Sequence, residues 1–157
     1  MTVTMKGLAG FMFFLLFLAG LALVNLRGMR DQSAVTVSSD EQLADSAWRP
    51  THLGEMRLSD DTSMFVQFNA DGSLIGFAGC NQFFGNYAVA DKGVSIGRVG
   101  STRKACPEPI NAYEVSFLES LQIVHTAALS DSRLILNDSS GNVLNRFVPA
   151  PLAAIAN

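Results

Sequence analysis

Alternating apolar and polar positions dominate the middle of the chain and predict β-strands. Met64, Val66 and Phe68 fall on one face of such a segment, and Phe65 and Gln67 fall on the other. Further strands are predicted at residues 74–78, 83–89, 94–96, 133–136 and 143–148. The intervening segments 69–72, 91–93 and 137–142 are rich in Asn, Asp and Gly, which are typical of hairpin turns.

A different period follows at residues 111–124 and predicts one amphipathic helix. Its apolar residues recur three and four positions apart: Ile110, Tyr113, Phe117, Leu118, Leu121 and Val124. Pro109 suits the first turn of this helix, where a missing N–H group is no loss. The pattern as a whole predicts a β-rich α+β fold, with antiparallel hairpins packed on a single helix.

The N-terminus carries a third pattern, an unbroken apolar run from Gly7 to Leu26. Twenty helical residues span about 30 Å, the hydrocarbon thickness of a bilayer, so the run predicts a membrane anchor. A cleaved signal peptide is the alternative, but the run is long for one and no good small-x-small cleavage site follows it. A buried core helix is the other alternative. Lys6 on one side and Arg27 and Arg30 on the other nearly cancel, so basic residues do not decide the orientation.

These patterns divide the chain into an anchor at residues 1–30, a polar linker at 31–45, a folded domain at 46–149 and a tail at 150–157. Eight basic and 14 acidic residues follow Arg30, a net charge of −6. Such an acidic domain lacks the electrostatic signature of nucleic-acid binding, and that class of function is excluded.

The chain has two cysteines, Cys80 and Cys106, both inside the predicted domain. A disulfide between them would stabilise the fold by about 3.5 kcal/mol in the chain-entropy model, whereas two buried thiols would act as small apolar side chains. Thiol chemistry is the sharper alternative, but the sequence has no Cys-x-x-Cys, and its histidines, His52 and His125, are isolated. The same four residues match no paired zinc-ligand spacing, so no metal site is predicted.

Polar and aromatic residues near the cysteines have structural interpretations as well. Asn81 is expected to hydrogen-bond backbone at a bend, and Arg103 to pair with Glu108 or Glu114. Along the strand at 83–89, alternation puts Phe83 and Tyr87 on one face and Phe84 on the other. Both faces are therefore aromatic, which favours core packing on one and leaves the other available for exposure.

The order of these motifs resembles the META domain family, to which HslJ-like bacterial heat-shock proteins belong. The resemblance covers about residues 44–149 and rests on Trp48, the Phe68–Gly76 hairpin, the Gly-Cys-Asn motif, the later Thr-Arg-x-x-Cys motif, the helix and the closing hairpin. Its motif residues besides the cysteines are Gly79, Asn81, Phe83, Gly85, Tyr87, Thr102 and Arg103. Lys104 departs from the family pattern, which usually has an apolar residue there.

The resemblance implies an antiparallel sheet curved like a half-barrel around the helix. It also implies a non-enzymatic envelope protein linked to stress tolerance, with no cofactor. We therefore expect an inner-membrane protein with its domain in the periplasm or outside the cell. An apolar ligand, a lipid or a hydrophobic peptide, is expected between the sheet and Phe117 and Leu121. The alternative function is a thiol-dependent redox sensor or enzyme that uses Cys80 and Cys106.

Overall fold

The computed structural model describes residues 34–91, 93–130 and 132–151. The chain divides into two units, Met1–Ser33 and Ala34–Asn157, and the description below concerns the second. The membrane anchor predicted at Gly7–Leu26 lies outside the described residues. Among the residues that are described, no helix has both the length and the apolar character needed to span a bilayer.

The described part of the chain forms one antiparallel sheet of eleven strands and one α-helix. The strands are β1 (Val35–Thr36), β2 (Ser46–Leu53), β3 (Met56–Arg57), β4 (Phe65–Phe68), β5 (Ser73–Phe77), β6 (Gln82–Ala90), β7 (Gly93–Ile96), β8 (Gly100–Ser101), β9 (Thr126–Ser130), β10 (Arg133–Asn137) and β11 (Val143–Pro149). The helix α1 spans Ile110–Gln122, and a short 3-10 turn lies at Asp40–Gln42. The predicted β-rich antiparallel sheet with one helix is confirmed.

The strand order is β1-β9-β10-β11-β2-β4-β5-β6-β7, with β3 paired to β2 and β8 paired to β6. The sheet curves so strongly that β7 comes close to β9, although the two are far apart in the strand order. The backbone N–H of Val94 in β7 donates to the carbonyl of His125, just before β9, over 2.8 Å. No ladder joins β7 to β9 within residues 34–91, 93–130 and 132–151, so the sheet stays open at this point.

The predicted hairpins are all present. β4 and β5 join through a turn in which Gly72 has φ 79, and β6 meets β7 through Asp91 with φ 50. β10 and β11 pair around the loop that ends at Asn142, with a register shift between Leu136 and Asn137. Hairpin prediction succeeds here because each turn carries its own local signal in Gly, Asn or Asp.

The packed part of the chain begins before residue 46, the start expected from the sequence. Val35 and Thr36 pair with β9, and Val37 and Leu43 are fully buried although they lie in the predicted polar linker. Gln42 fixes the 3-10 turn, since its side-chain oxygen accepts from the backbone N–H of Ser38 and Ser39. Two apolar residues separated by a polar turn show no period, so this contribution to the core has no pattern in the sequence.

Helix α1 lies against the inner face of the sheet. Phe117 and Leu121 are fully buried in the core, and Tyr113 and Leu118 are half-buried against it. Pro109 is the residue that precedes the first helical turn rather than part of it. Ile110, at the start of the predicted stripe, is exposed, so the apolar face that packs is shorter than the stripe.

Candidate functional site

The Gly-Cys-Asn motif forms the bend between β5 and β6. Gly79 has φ 95, a left-handed conformation that side chains rarely adopt, and Ala78 N–H donates to the carbonyl of Asn81 over 2.9 Å. The bend therefore requires a glycine, and it turns Cys80 and Asn81 towards the interior, where they are 8% and 4% exposed. We call the group formed by Cys80, Asn81, Thr102, Lys104, Cys106 and Glu114 the signature corner.

Cys80 and Cys106 lie at disulfide distance, with their Cα atoms 6.3 Å apart and a sequence separation of 26. The structure joins them as a disulfide, and no free cysteine is present. The bridge ties the β5–β6 bend to the segment that leads into α1. Buried thiols, the alternative considered from the sequence, do not describe this pair.

Asn81 connects three parts of the corner through its side chain. Its Oδ1 accepts from the backbone N–H of Lys104 over 2.7 Å and from the Thr102 hydroxyl over 2.8 Å. Its Nδ2 donates to the Lys104 carbonyl over 3.2 Å and to Glu114 Oε1 over 2.8 Å. The amide therefore uses all of its hydrogen-bonding capacity. The predicted bond from Asn81 to backbone at a bend is present.

Glu114 also belongs to this site, which the sequence analysis did not predict. There it was considered only as a partner of Arg103. It lies on α1, only 9% exposed, and its Oε2 accepts from the backbone N–H of Asn81 over 2.9 Å. Glu114 lies three residues before Phe117 and seven before Leu121, so it falls on the packed face of the helix. This spacing is the sequence signal that could have predicted a buried carboxylate. Both of its oxygens are bonded to Asn81, as a buried carboxylate requires.

The predicted partners of Arg103 are not the observed ones. Arg103 is exposed, and the described residues contain one ion pair within 4.0 Å, Arg57 with Asp60. Glu114 is turned inward to Asn81, while Glu108 accepts from the backbone N–H of Ala112 over 3.2 Å. The pairing of Arg103 with either glutamate was therefore wrong, because both acids bind nearer donors.

Strand β6 has the two faces expected from its alternation. Phe83 and Tyr87 are buried at 2% and 5% exposure, whereas Phe84 is 61% exposed. Tyr87 packs edge-on to Phe68, with ring centroids 5.0 Å apart, and its hydroxyl donates to the Asn69 carbonyl. Burial raises the pKa of Tyr87, and the carboxylates of Asp40, Asp45 and Asp71 add to the effect.

Two glycines in this region allow chain segments to approach closely. A Cβ on Gly85 would lie 3.4 Å from the carbonyl of Arg98, so the segment before β8 runs directly over it. A Cβ on Gly100 would lie 2.9 Å from the ring of Phe84. The ring of Phe84 therefore rests on β8 while its other face meets solvent.

The predicted apolar ligand face is part of the core. Phe117 and Leu121 are both 0% exposed. The ring of Phe117 packs edge-on to Phe83, with centroids 5.8 Å apart, and lies 6.2 Å from the ring of Phe147. Because core neighbours already cover these two side chains, they offer no surface to a ligand, and that expectation was wrong.

An apolar cluster lies instead on the outer face of the sheet. Its members are Phe65, Ile75, Phe77 and Phe84, which we call the outer aromatic patch. Phe65 pairs directly with Phe77, and Ile75 pairs directly with Phe84. Ile75 and Phe84 are exposed and the other two are half-buried, outside the core cluster.

Solved structures of other proteins share this fold. A protein from Burkholderia xenovorans, solved by NMR, is 21% identical with a TM-score of 0.59, over 77% of this chain and 96% of its own. A DUF4847 family protein from Bacteroides vulgatus, a crystal structure, is 16% identical with a TM-score of 0.51, over 69% and 95%. At these identities the likeness concerns the fold alone.

The family follows from the sequence. The META domain family model matches residues 41–151, most of the chain. The chain belongs to the META domain family, as its motifs indicated. A search of the curated proteins found no match.

Proposed function

We propose that this chain is a non-enzymatic META domain protein tethered to the bacterial inner membrane, with its domain in the periplasm or outside the cell. In this location it acts in the envelope stress response, by binding another component of the envelope through its surface. The observation that carries the proposal is the signature corner, whose thiols and polar side chains are bonded to one another. A corner of this kind holds a fold together and leaves recognition to the surface.

The absence of enzymatic activity is inferred from how the reactive groups are used. A nucleophilic cysteine needs a free thiolate with a base or a positive charge nearby, and both sulfurs here are paired. A general base needs an oxygen within reach of a substrate, and both oxygens of Glu114 accept bonds from Asn81. The two sulfur atoms and the Glu114 carboxylate are therefore all bonded to groups within the fold.

The location is inferred from the anchor and the cysteine pair. The run from Gly7 to Leu26 is long enough to cross a bilayer as a helix. Disulfides persist in oxidising compartments such as the periplasm and are rare in the cytosol. Together these features favour a domain exported across the membrane and retained by its N-terminal segment.

Counting thiols in the full chain tests the non-enzymatic assignment. Under non-reducing denaturing conditions we expect no free thiol, and two after reduction. Two reactive thiols of low pKa in the native protein would overturn the assignment in favour of a redox sensor or enzyme. The Cys80→Ser/Cys106→Ser double variant is the matched control, since it removes every thiol from the chain.

A C-terminal reporter tests the location. Fused after Asn157, alkaline phosphatase requires an oxidising compartment for activity, whereas a cytoplasmic reporter such as β-galactosidase requires the other side. We expect phosphatase activity only, retained in the membrane fraction after alkaline carbonate extraction. Activity of the cytoplasmic reporter would contradict the proposed orientation, and release by carbonate would contradict the tether.

A further inference from the structure

The outer aromatic patch is unusual for its position as well as its composition. Two cross-strand pairs, Phe65 with Phe77 and Ile75 with Phe84, lie side by side on β4, β5 and β6. They face away from the core, which the inward residues Val66, Leu74 and Phe83 supply from the same strands. Contiguous exposed apolar side chains on a soluble face mark a contact surface for another molecule.

The strands around the patch carry no charge. Strands β4 to β8 contain no Asp, Glu, Lys or Arg among their residues. Basic residues flank them instead: Arg98 precedes β8, and Arg103 and Lys104 follow it. All three are exposed, and none forms an ion pair within the described residues. Because β8 pairs with Phe83 and Phe84, these cations lie within three residues of the strand that runs beside the exposed ring.

Acidic groups lie at both ends of these strands, and the exposed Asp60 and Asp61 precede Phe65 of β4 at the end nearer Arg103. Asp40, Asp45 and Asp71 lie close enough to Tyr87 to raise its pKa, at the β4–β5 turn. Asp40 also accepts from the backbone N–H of Val89 over 2.8 Å. The face thus has an apolar centre around Phe84, basic residues on either side of β8, and acidic residues beyond both ends of the strands.

The covalent connection to the anchor is short. Eight residues separate Leu26, where the apolar run ends, from Val35, where β1 begins. Fully extended, they span at most about 29 Å. The first segment of the domain then runs to Asp40, which bonds to β6, the strand that carries Phe84. A bilayer that holds the anchor is therefore no farther than about 29 Å from the start of β1.

From these features we propose that the outer aromatic patch docks on the interfacial region of a bilayer containing anionic phospholipid. The inference depends on the tether proposed above. Phe84 and Ile75 enter the boundary between headgroups and acyl chains, and Arg98, Arg103 and Lys104 contact phosphate groups. Apolar area combined with attraction to anionic lipid is what sustains binding at this interface.

A second copy of the chain fits the patch less well. Its four side chains, two of them half-buried, expose on the order of 300 Å². A stable protein interface needs about 800 Å² from each partner. Three cations without acidic partners would also repel their counterparts across a symmetric contact, whereas they favour an anionic surface.

Fluorescence quenching in reconstituted full-length chain tests the proposal. The Phe84→Trp variant is placed in vesicles that contain phosphatidylglycerol and brominated acyl chains. We expect its emission to be about half of that in the same vesicles without bromine. In brominated vesicles of phosphatidylcholine alone, we expect a smaller decrease in emission. Ile123→Trp is the matched control, because Ile123 is 58% exposed at the end of α1, which packs on the inner face of the sheet. Trp48, 8% exposed, supplies a constant background.

Substitutions of the basic residues test whether their charges contribute to lipid binding. Arg98→Gln and Arg103→Gln should each weaken the anionic-lipid component about fivefold, the equivalent of one basic residue at a membrane surface. Equal quenching at positions 84 and 123, or none at 84, would overturn the proposal. A concentration-dependent blue shift at 84 without bromine quenching would overturn it in favour of a second copy.

Failure of the tether is distinguishable from failure of docking. If carbonate releases the full chain, the proposed anchor is wrong. The Phe84→Trp chain, added from outside to anionic vesicles, still reports docking by its quenching relative to Ile123→Trp.

Discussion

The signature corner and the outer aromatic patch lie three residues apart on the chain, at Asn81 and Phe84, and differ in almost every physical respect. Asn81 is buried, and its polar atoms are bonded to Lys104, Thr102 and Glu114. Phe84 is 61% exposed, and its ring rests on the backbone of β8. The corner is built from cysteines and polar or charged residues, whereas the patch is built from apolar residues that are common in any sheet.

The difference shows that rare residue types do not by themselves identify a functional surface. Cysteine, asparagine and glutamate in the corner satisfy one another, and buried groups of that kind stabilise a unique structure. Contact with water is unfavourable for an exposed phenylalanine, and contact with an apolar partner is favourable. If this division holds, changes in the corner affect folding and changes in the patch affect binding.

The largest expected effect compares two phenylalanines. Phe117→Ala should lower the free energy of unfolding by about 3–5 kcal/mol, because it empties space between Phe83 and Phe147. The matched variant Phe84→Ala should change it by less than about 0.5 kcal/mol, because that ring is largely in solvent. Urea unfolding followed by the fluorescence of Trp48, the single tryptophan, measures both. Comparable losses would show that the patch is part of the core.

The second effect concerns the disulfide. Cys80→Ser/Cys106→Ser should lower the free energy of unfolding by about 3.5 kcal/mol, since the unfolded chain regains the freedom of a 26-residue loop. Reducing the wild-type chain with dithiothreitol should give the same loss in the same titration. A double variant as stable as the oxidised protein would show that the corner does not depend on the bridge.

The third effect concerns the pair formed by Asn81 and Glu114. Glu114→Gln should cost about 1–3 kcal/mol, because its amide group would face donors on Asn81 that need an acceptor. Glu119→Gln, an exposed position on the same helix, is the control and should be neutral. A double-mutant cycle with Asn81→Ala should give a coupling of at least about 1 kcal/mol. Additive losses would contradict a direct interaction.

The sequence predicted those elements that carry a local signal. Hairpin turns with Asn and Gly, the alternation of β6 and the period of α1 all lead to the observed elements, and the disulfide was one of the two structural interpretations of the cysteine pair. Strands β2 and β9 were missed: Pro50 interrupts the pattern of one, and small residues such as Ala127 and Ala128 dominate the other. Both acquire strand structure from neighbours distant in sequence.

The site was harder to predict than the fold, because its partners lie far apart in sequence. Asn81 and Glu114 are 33 residues apart, and only the tertiary structure shows that a carboxylate on the packed face of α1 reaches the β5–β6 bend. The patch has the opposite difficulty. The alternation of β4 puts Phe65 opposite Val66 and Phe68, but only the register of β4 and β5 shows that Phe65 and Phe77 share the outer face.

The smallest expected effect depends on pH and tests the interior of β6, between the two regions. Burial raises the pKa of Tyr87 above its usual value near 10, so the folded state holds this proton more tightly than the unfolded state. The stabilisation is therefore fully present below about pH 10 and is lost as the pH rises towards the pKa of the folded state.

Tyr87→Phe removes both this dependence and the bond from the hydroxyl to the Asn69 carbonyl. At pH 8 the variant should be less stable by about 0.5–1.5 kcal/mol, the net value of one hydrogen bond. The gap between the two proteins should narrow as unfolding is repeated from pH 8 towards about pH 11, because only the wild-type chain loses the contribution of a buried phenol. The gap at pH 8 serves as the internal reference. A gap that stays constant would mean that Tyr87 ionises as easily in the fold as in the unfolded chain, and that this end of β6 is open to water.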